Sequence, residues 1–294
     1  MVKLKLGYSI GLPLVNHTNI NTNSIDENTS EFIENINQIK LLEKNFNCVQ
    51  IMFMKKKISS NEIKQINLIL KNYKQIFVHA SYQINIGADL IPSHNDLYNA
   101  CIETFISEIL YAKKINAQGI VIHMGKNVKN QYELNHIYNN MVKFIISLFK
   151  KLKEKKIKIL ILLETPAGQG GEMCWNLNEF VDFVSKFKSQ EFYKYLGICV
   201  DTCHIFQAGY DLNNLKTIKK IHQILSPIED KIKLIHLNDS FHQVGMRIDK
   251  HEQIGKGHIQ IDKLVKFILP YKSVPMILET PSPKKQFDSL ADLT

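Results

Sequence analysis

Arginine is nearly missing from this chain. Of 37 basic residues only Arg247 is an arginine, and the rest are lysines. Asn, Ile and Lys are heavily used, which reads as coding bias from an AT-rich genome. The formal charge of +9 therefore permits a polyanionic partner without naming one. Cysteine is scarce as well. Cys48, Cys101, Cys174, Cys199 and Cys203 are odd in number and contain no Cys-x-x-Cys, which argues against a disulfide framework and a Cys-type zinc site. No apolar run reaches membrane-spanning length; Ile157 to Leu163 is short and contains Lys158. Lys3 and Lys5 have no long apolar core behind them, so a signal peptide is not expected. The chain is expected to be soluble, intracellular and not secreted. No Gly-x-Gly-x-x-Gly follows the first apolar stretch, which removes the main support for an open doubly wound sheet.

What is present is strand–helix alternation. Eight apolar stretches read as strands: Leu4–Ile10, Cys48–Phe53, Ile76–Ala80, Gly119–Met124, Ile159–Glu164, Leu196–Asp201, Lys233–Leu237 and Pro275–Glu279. Helical periodicity fills the intervals at Glu31–Lys44, Asn61–Asn72, Asp96–Ile115, Tyr138–Lys153, Asn178–Phe187, Leu215–Leu225 and Asp262–Leu269. Such alternation implies parallel strands with right-handed crossovers. Eight units in 294 residues fit one α/β domain over 1–294, a closed (β/α)8 TIM barrel. The Asn-, Thr- and Ser-rich segment 16–30 is expected as a surface loop.

Chemistry gathers at the strand ends. The sixth strand runs into Asp201-Thr202-Cys203-His204. His79 ends the third, His123 the fourth, Glu164 the fifth, His236 the seventh and Glu279 the eighth, with Asp249 and His251 in the loop after the seventh. Each has a bland alternative, since an acid at a strand end is often a helix cap. In a barrel, however, these ends converge on one mouth at the C-terminal face. Nine acids and imidazoles there need cations between them. They are also too many for one ion that takes about four ligands. Two or three metal ions follow, and a hydrolytic site is favoured over a structural one.

The blocks His79-Ala80-Ser81-Tyr82-Gln83-Ile84-Asn85, Glu164-Thr165-Pro166-Ala167-Gly168-Gln169-Gly170, Gly197 through His204, Ala208-Gly209-Tyr210-Asp211, His236-Leu237-Asn238-Asp239, Arg247 through His251 and Ile277-Leu278-Glu279-Thr280 resemble the endonuclease IV family of DNA-repair enzymes. The resemblance implies a TIM barrel with three Zn²⁺ ions. His79, His123 and Glu164 would hold the first. Glu164 would bridge to a second, also held by Asp201, His236 and Glu279. His204, Asp249 and His251 would hold the third. The chain departs from the family pattern in three places. Gly7-Tyr8-Ser9 lacks the His usual soon after the first strand's Gly. Lys55-Lys56-Lys57 stands where a DNA-probing Arg is usual, so that Lys57 substitutes. Gln83 follows Tyr82 in place of an apolar residue.

The activity implied is hydrolysis of the DNA backbone 5′ to an abasic site, leaving a 3′-hydroxyl and a 5′-deoxyribose phosphate. Glu164 and Glu279 are the expected catalytic carboxylates. Tyr82, Gln83, Lys57, Arg247 and Lys250 are the expected DNA contacts. The partner would be double-stranded DNA carrying abasic sites, met by a monomer in a DNA-containing compartment such as cytoplasm or nucleus, with no membrane involved. Two rivals stand beside this reading. A metal-dependent sugar isomerase would need only Glu164, Asp201, His236 and Glu279. A DNA-binding homologue that has lost catalysis would have little reason to retain the full set of acids.

Overall fold

A computed structural model describes residues 6–11, 48–52, 60–88, 95–130 and 132–280. Eight parallel strands close on themselves: β1 (Leu6–Gly11), β2 (Cys48–Met52), β3 (Gln75–His79), β4 (Gly119–Ile122), β5 (Leu160–Glu164), β6 (Leu196–Asp201), β7 (Ile232–His236) and β10 (Met276–Leu278). Pairing of Leu6 with Met276 and of Gly7 with Cys48 completes the ring. All eight strands expected from apolar patterning are present, each within two residues of its expected bounds. The two-residue strands β8 (Asp239–Ser240) and β9 (His251–Glu252) form a separate antiparallel pair above the barrel, with Ser240 opposite His251. The segments 16–30, 31–44 and 55–57, including the loop, the first helix and Lys57, lie outside the described residues.

Side chains alternate faces along a strand, and this alternation divides the barrel into two cores. Cys48, Phe77, Val121, Leu162, Cys199, Leu234 and Ile277 point inward and form a closed apolar floor. Their neighbours, such as Val49, Ile51, Val78, Ile120, Leu163, Ile198, Val200 and Ile235, point outward against the helices. Those helices include α1 (Ser60–Leu70), α2 (Asn95–Lys114), α3 (Leu134–Glu154), α4 (Leu177–Ser185), α5 (Thr202–Gln207), α6 (Leu215–Leu225) and α7 (Ile261–Ile268). Helix α3 buries Ile137, Met141, Phe144, Ile145, Leu148 and Leu152, at the three- and four-residue spacing of one helical face. Gly7 admits no side chain, because a Cβ there would run into the Cys48 carbonyl oxygen. Among the described residues no helix is long and apolar enough to cross a membrane.

The inward face changes character two residues beyond the floor. Ser9, Gln50, His79, His123, Glu164, Asp201, His236 and Glu279 each follow a floor-level residue at i+2, Gly7 standing at that level on β1. A polar ring therefore sits on an apolar plug. Its height is set by strand register alone.

One buried acid lies beneath the rim. Glu108 of α2 is 8% exposed, and its Oε2 accepts the Ser81 N–H at 3.0 Å. Burial pushes this carboxyl up to about 7. A folded-state pKa above the unfolded one means that ionisation opposes folding. The penalty is absent below about pH 4.5, grows between there and pH 7, and is complete above. Glu108→Gln keeps the acceptor and removes the charge. The variant should melt higher than wild type at pH 8, by the equivalent of about 1–3 kcal/mol. It should show no gain at pH 4. Thermal denaturation at the two pH values checks this.

Candidate metal centre

Glu164 lies at the middle of the ring and is buried, 1% exposed. Its two oxygens face different partners. Oε2 is 3.2 Å from His79 Nε2 and 3.1 Å from His123 Nε2. Oε1 is 2.6 Å from His236 Nδ1 and 3.7 Å from His204 Nδ1. His236 Nδ1 is also 3.0 Å from Glu279 Oε2 and 3.6 Å from Asp201 Oδ2. On the far side, Asp249 Oδ1 stands 3.1 Å from His204 Nε2 and 3.2 Å from His251 Nε2. All nine candidate ligands expected from the strand ends are thus brought together. Their donor atoms fall into three clusters able to hold an ion: His79, His123 and Glu164; Glu164, Asp201, His236 and Glu279; and His204, Asp249 and His251.

The imidazole tautomers test whether cations fit. His79 Nδ1 donates to the Ala80 carbonyl at 2.8 Å, His204 Nδ1 to that of Thr165 at 2.9 Å, and His251 Nδ1 to that of Glu279 at 3.2 Å. In a neutral ring so held, Nε2 would carry a lone pair aimed at carboxylate oxygens. Two lone pairs at about 3 Å repel unless a proton or a metal ion lies between them. His204 Nε2 and His251 Nε2 are also buried without a hydrogen-bond partner, although Asp249 Oδ1 is near. Such orphaned nitrogens beside acids fit a divalent cation, and nitrogen and oxygen donors with no thiolate suit zinc.

The charges agree. Burial pulls His123 and His251 down, but neighbouring carboxylates outweigh it and lift both to about 9; His204 rises well above the usual imidazole range for the same reason, and His236 does so beside Cys199, Glu279 and Glu164. Glu279 falls to about 2 and Glu164 well below its ordinary value, both against burial, because imidazolium neighbours favour the anion. Asp249 is held far below the usual carboxylate range, against burial, by His204 and His251. Glu164, Asp249 and Glu279 are anions that demand positive charge close by. Cys199 and Cys203 also approach the cluster. Burial pushes both thiols up, Cys199 to about 12, so they line the site as neutral groups.

Several positioning groups were not evident from the sequence. Gln50 is fully buried. Its Oε1 accepts from His236 Nε2 at 2.9 Å, while its Nε2 donates to Glu279 Oε1 at 2.7 Å and to Ser9 Oγ at 3.3 Å. Ser9 thereby joins the ring where a His was expected from the family pattern. The available signal for Gln50 was a lone amide inside an apolar strand. Asn238 donates through Nδ2 to Asp201 Oδ2 at 2.8 Å and accepts the Glu279 N–H at 2.9 Å. Gln169 Oε1 accepts the Asp249 N–H at 2.6 Å.

Of the five residues expected to contact DNA, Tyr82, Gln83, Arg247 and Lys250 are described and Lys57 is not. Tyr82 is 57% exposed, with its ring 4.9 Å from that of His123 and 5.5 Å from that of His79. Gln83 beside it is exposed. Arg247 stacks 3.7 Å above the Trp175 ring, and Lys250 lies 3.6 Å above that of Phe241. Both belong to the loop that delivers Asp249. His222 bonds the Phe267 carbonyl at 3.0 Å, a structural role away from the mouth.

Asn238→Ala should cost about 2–4 kcal/mol, because it removes one bond to a charged acceptor and strands a buried N–H. Chemical denaturation measures this. A loss below about 0.5 kcal/mol would mean that Asn238 does not hold the two acids.

A family model described as a xylose isomerase-like TIM barrel matches residues 39–293. "Probable endonuclease 4" of Mesomycoplasma hyopneumoniae strain J is 34% identical over 239 residues, covering 76% of this chain and 79% of its own. Endonuclease IV from Thermus thermophilus superposes with a TM-score of 0.69 at 19% identity, over 98% of this chain and 97% of that one. A D-tagatose 3-epimerase-like protein superposes equally well, with a TM-score of 0.70 at 20% identity over 99% and 96%. The two solved structures therefore speak to the barrel and not to the chemistry, which is left to the relative of higher identity and to the nine clustered donors. On those grounds the chain is a member of the endonuclease IV family.

Proposed function

We propose that this DNA-cleaving hydrolase is a zinc-dependent endonuclease of base excision repair. It hydrolyses the phosphodiester 5′ to an abasic site and leaves a 3′-hydroxyl and a 5′-deoxyribose phosphate. It acts as one barrel domain over 1–294, as a monomer, in a DNA-containing compartment. The observation that carries this reading is the division of the Glu164 carboxylate, one oxygen toward His79 and His123 and the other toward His236. That arrangement suits a carboxylate shared by two ions, with His204, Asp249 and His251 as a third ligand set.

Zinc bound by these groups would lower the pKa of a water molecule toward about 7 and neutralise charge on the phosphate oxygens. The protein's own part is positional. Glu164, by bridging, would orient or deprotonate the attacking water. Glu279, with Oε1 pinned by Gln50, keeps its Oε2 on the same side of the ring as His236. His204, Asp249 and His251 would hold an ion that neutralises charge developing on the departing 3′-oxygen. Damage is selected by shape, since a nucleotide without its base is the cheapest to extrude from the stack. Tyr82, exposed beside the first ligand set, fills the space left in the duplex. Lys57, Gln83, Arg247 and Lys250 track the backbone. A sugar isomerase built on the same barrel would use the Glu164, Asp201, His236 and Glu279 cluster and leave the other five donors without work.

The test offers the purified chain an abasic duplex, an intact duplex and an aldose, with chelator and after zinc is restored. Nicking 5′ to the abasic residue, lost with chelator and regained with zinc, is expected. Elemental analysis should find about three ions per chain, since nine donors with one bridge supply that many sites. Aldose turnover without nicking, or one ion or none in active protein, overturns the reading.

Glu164→Gln keeps the shape of the bridge and removes its charge. Cleavage should vanish while abasic-DNA affinity stays within about tenfold, because phosphate contacts carry most of that affinity. Wild-type turnover in this variant with its metal retained would show that Glu164 is not catalytic.

A further inference from the structure

Five imidazoles surround the ring, and four are locked from behind. His79, His204 and His251 hold backbone carbonyls through Nδ1, and His236 holds Gln50 through Nε2. His123 has no such carbonyl or amide among the described residues. The acceptor facing its Nδ1 is Glu172 Oε1, at 3.8 Å.

Glu172 is built into its place. It is 5% exposed. Its Oε2 accepts the Gly168 and Gln169 N–H groups at 3.0 and 3.1 Å, and its Oε1 lies 3.1 Å from Lys126 Nζ. The segment that carries it is zipped to the segment after β4. Asn127 N–H donates to the Gly171 carbonyl at 2.9 Å and Met173 N–H to that of Gly125 at 2.8 Å. Gly171 sits at φ +82°, and a Cβ there would lie 2.5 Å from the Asn127 carbonyl oxygen, so this approach requires glycine. The turn that Glu172 braces also presents Gln169, whose side chain holds the Asp249 N–H at 2.6 Å.

We propose that Glu172 is a positioning residue that fixes the tautomer and ring orientation of His123, and through Gln169 links the first ligand set to the third. This rests on the zinc reading above. At 3.8 Å the Glu172 carboxylate is beyond direct hydrogen-bond distance, but its charge on the Nδ1 side favours Nδ1–H, which turns the Nε2 lone pair inward and raises its basicity. Glu164 ties the first and second sets together from within the ring, whereas Glu172 ties the first and third from outside it.

Glu172→Gln keeps an oxygen for the two turn N–H groups and loses the charge opposite His123 and Lys126. Zinc binding to the metal-stripped chain, followed by competition with a chromophoric chelator, should show one site weakened about 10–100-fold and the others unchanged, because the retained oxygen still braces the turn that presents Gln169. Glu172→Asp should recover part of the loss. The effect should disappear in a His123→Ala background, since removal of the ring removes what Glu172 positions. Unchanged affinities in Glu172→Gln overturn the proposal. So does an equal loss in the His123→Ala background, or a uniform loss at all sites with a lowered melting temperature of the stripped chain. The titration contains no DNA. Failure to nick abasic DNA would therefore overturn the functional reading without touching this one, and an uncoupled Glu172 would overturn this one without touching nicking.

Discussion

A buried carboxylate between two groups of imidazoles is the interaction on which the site depends. Glu164 is almost sealed from water, and an isolated anion there would be far from favourable. It persists because His79 and His123 face one oxygen and His236 the other. The same requirement spreads outward. His236 must present Nδ1, so Gln50 holds its Nε2; Glu279 must keep one oxygen inward, so Gln50 holds the other. Asp201 must face the ring, so Asn238 holds it and at the same time receives the N–H of Glu279. His236, Glu279 and Asp201 are thus each secured by a neutral, buried amide, Gln50 or Asn238.

The barrel makes this possible by geometry. Inward-facing residues recur every second position. The floor of Cys48, Phe77, Val121, Leu162, Cys199, Leu234 and Ile277 therefore fixes where the next inward layer falls. A slip of one residue in any strand would turn its ligand into the helix layer and an apolar side chain into the ring. The apolar floor and the polar ring thus specify each other's register. The bulge in pairing between β6 and β7 at Ile198 and Cys199 is absorbed below the ring, where Asp201 and His236 are opposed again.

Much of this was legible in the chain itself. The eight strands stood out as short apolar runs, and the nine donors stood out because acids and imidazoles ended those runs. The helix Thr202–Gln207 was not visible, since six residues are too few for helical periodicity to show. From the sequence, Asp201 reads as either a cap or a ligand. It is built for both, because Oδ1 accepts the His204 N–H at 2.9 Å while Oδ2 faces the ring. The β8–β9 pair was also hidden, although it is what places His251. Gln50, Glu172 and Asn238 share a reason for being missed. Their importance lies in contacts with residues far away in sequence, as in the Gln50–His236 and Asn238–Glu279 bonds, which span 186 and 41 positions, and no local pattern records such a contact. Lys57 and the segment 16–30 lie outside the described residues.

The closed ring has one more consequence. Each strand contributes to the centre at the same height, and β1 and β10 are joined to each other only by hydrogen bonds, as are all lateral neighbours in the barrel. The centre is therefore cyclic in space although the gene that encodes it is linear. It has no first or last ligand. A chain opened in the turn at Lys155 and Lys156, with its old ends tethered, would begin at the Glu164 strand and finish at α3 while presenting the same eight side chains to the same interior. Order of synthesis and order around the mouth are separate properties in this architecture, and only the second enters the chemistry.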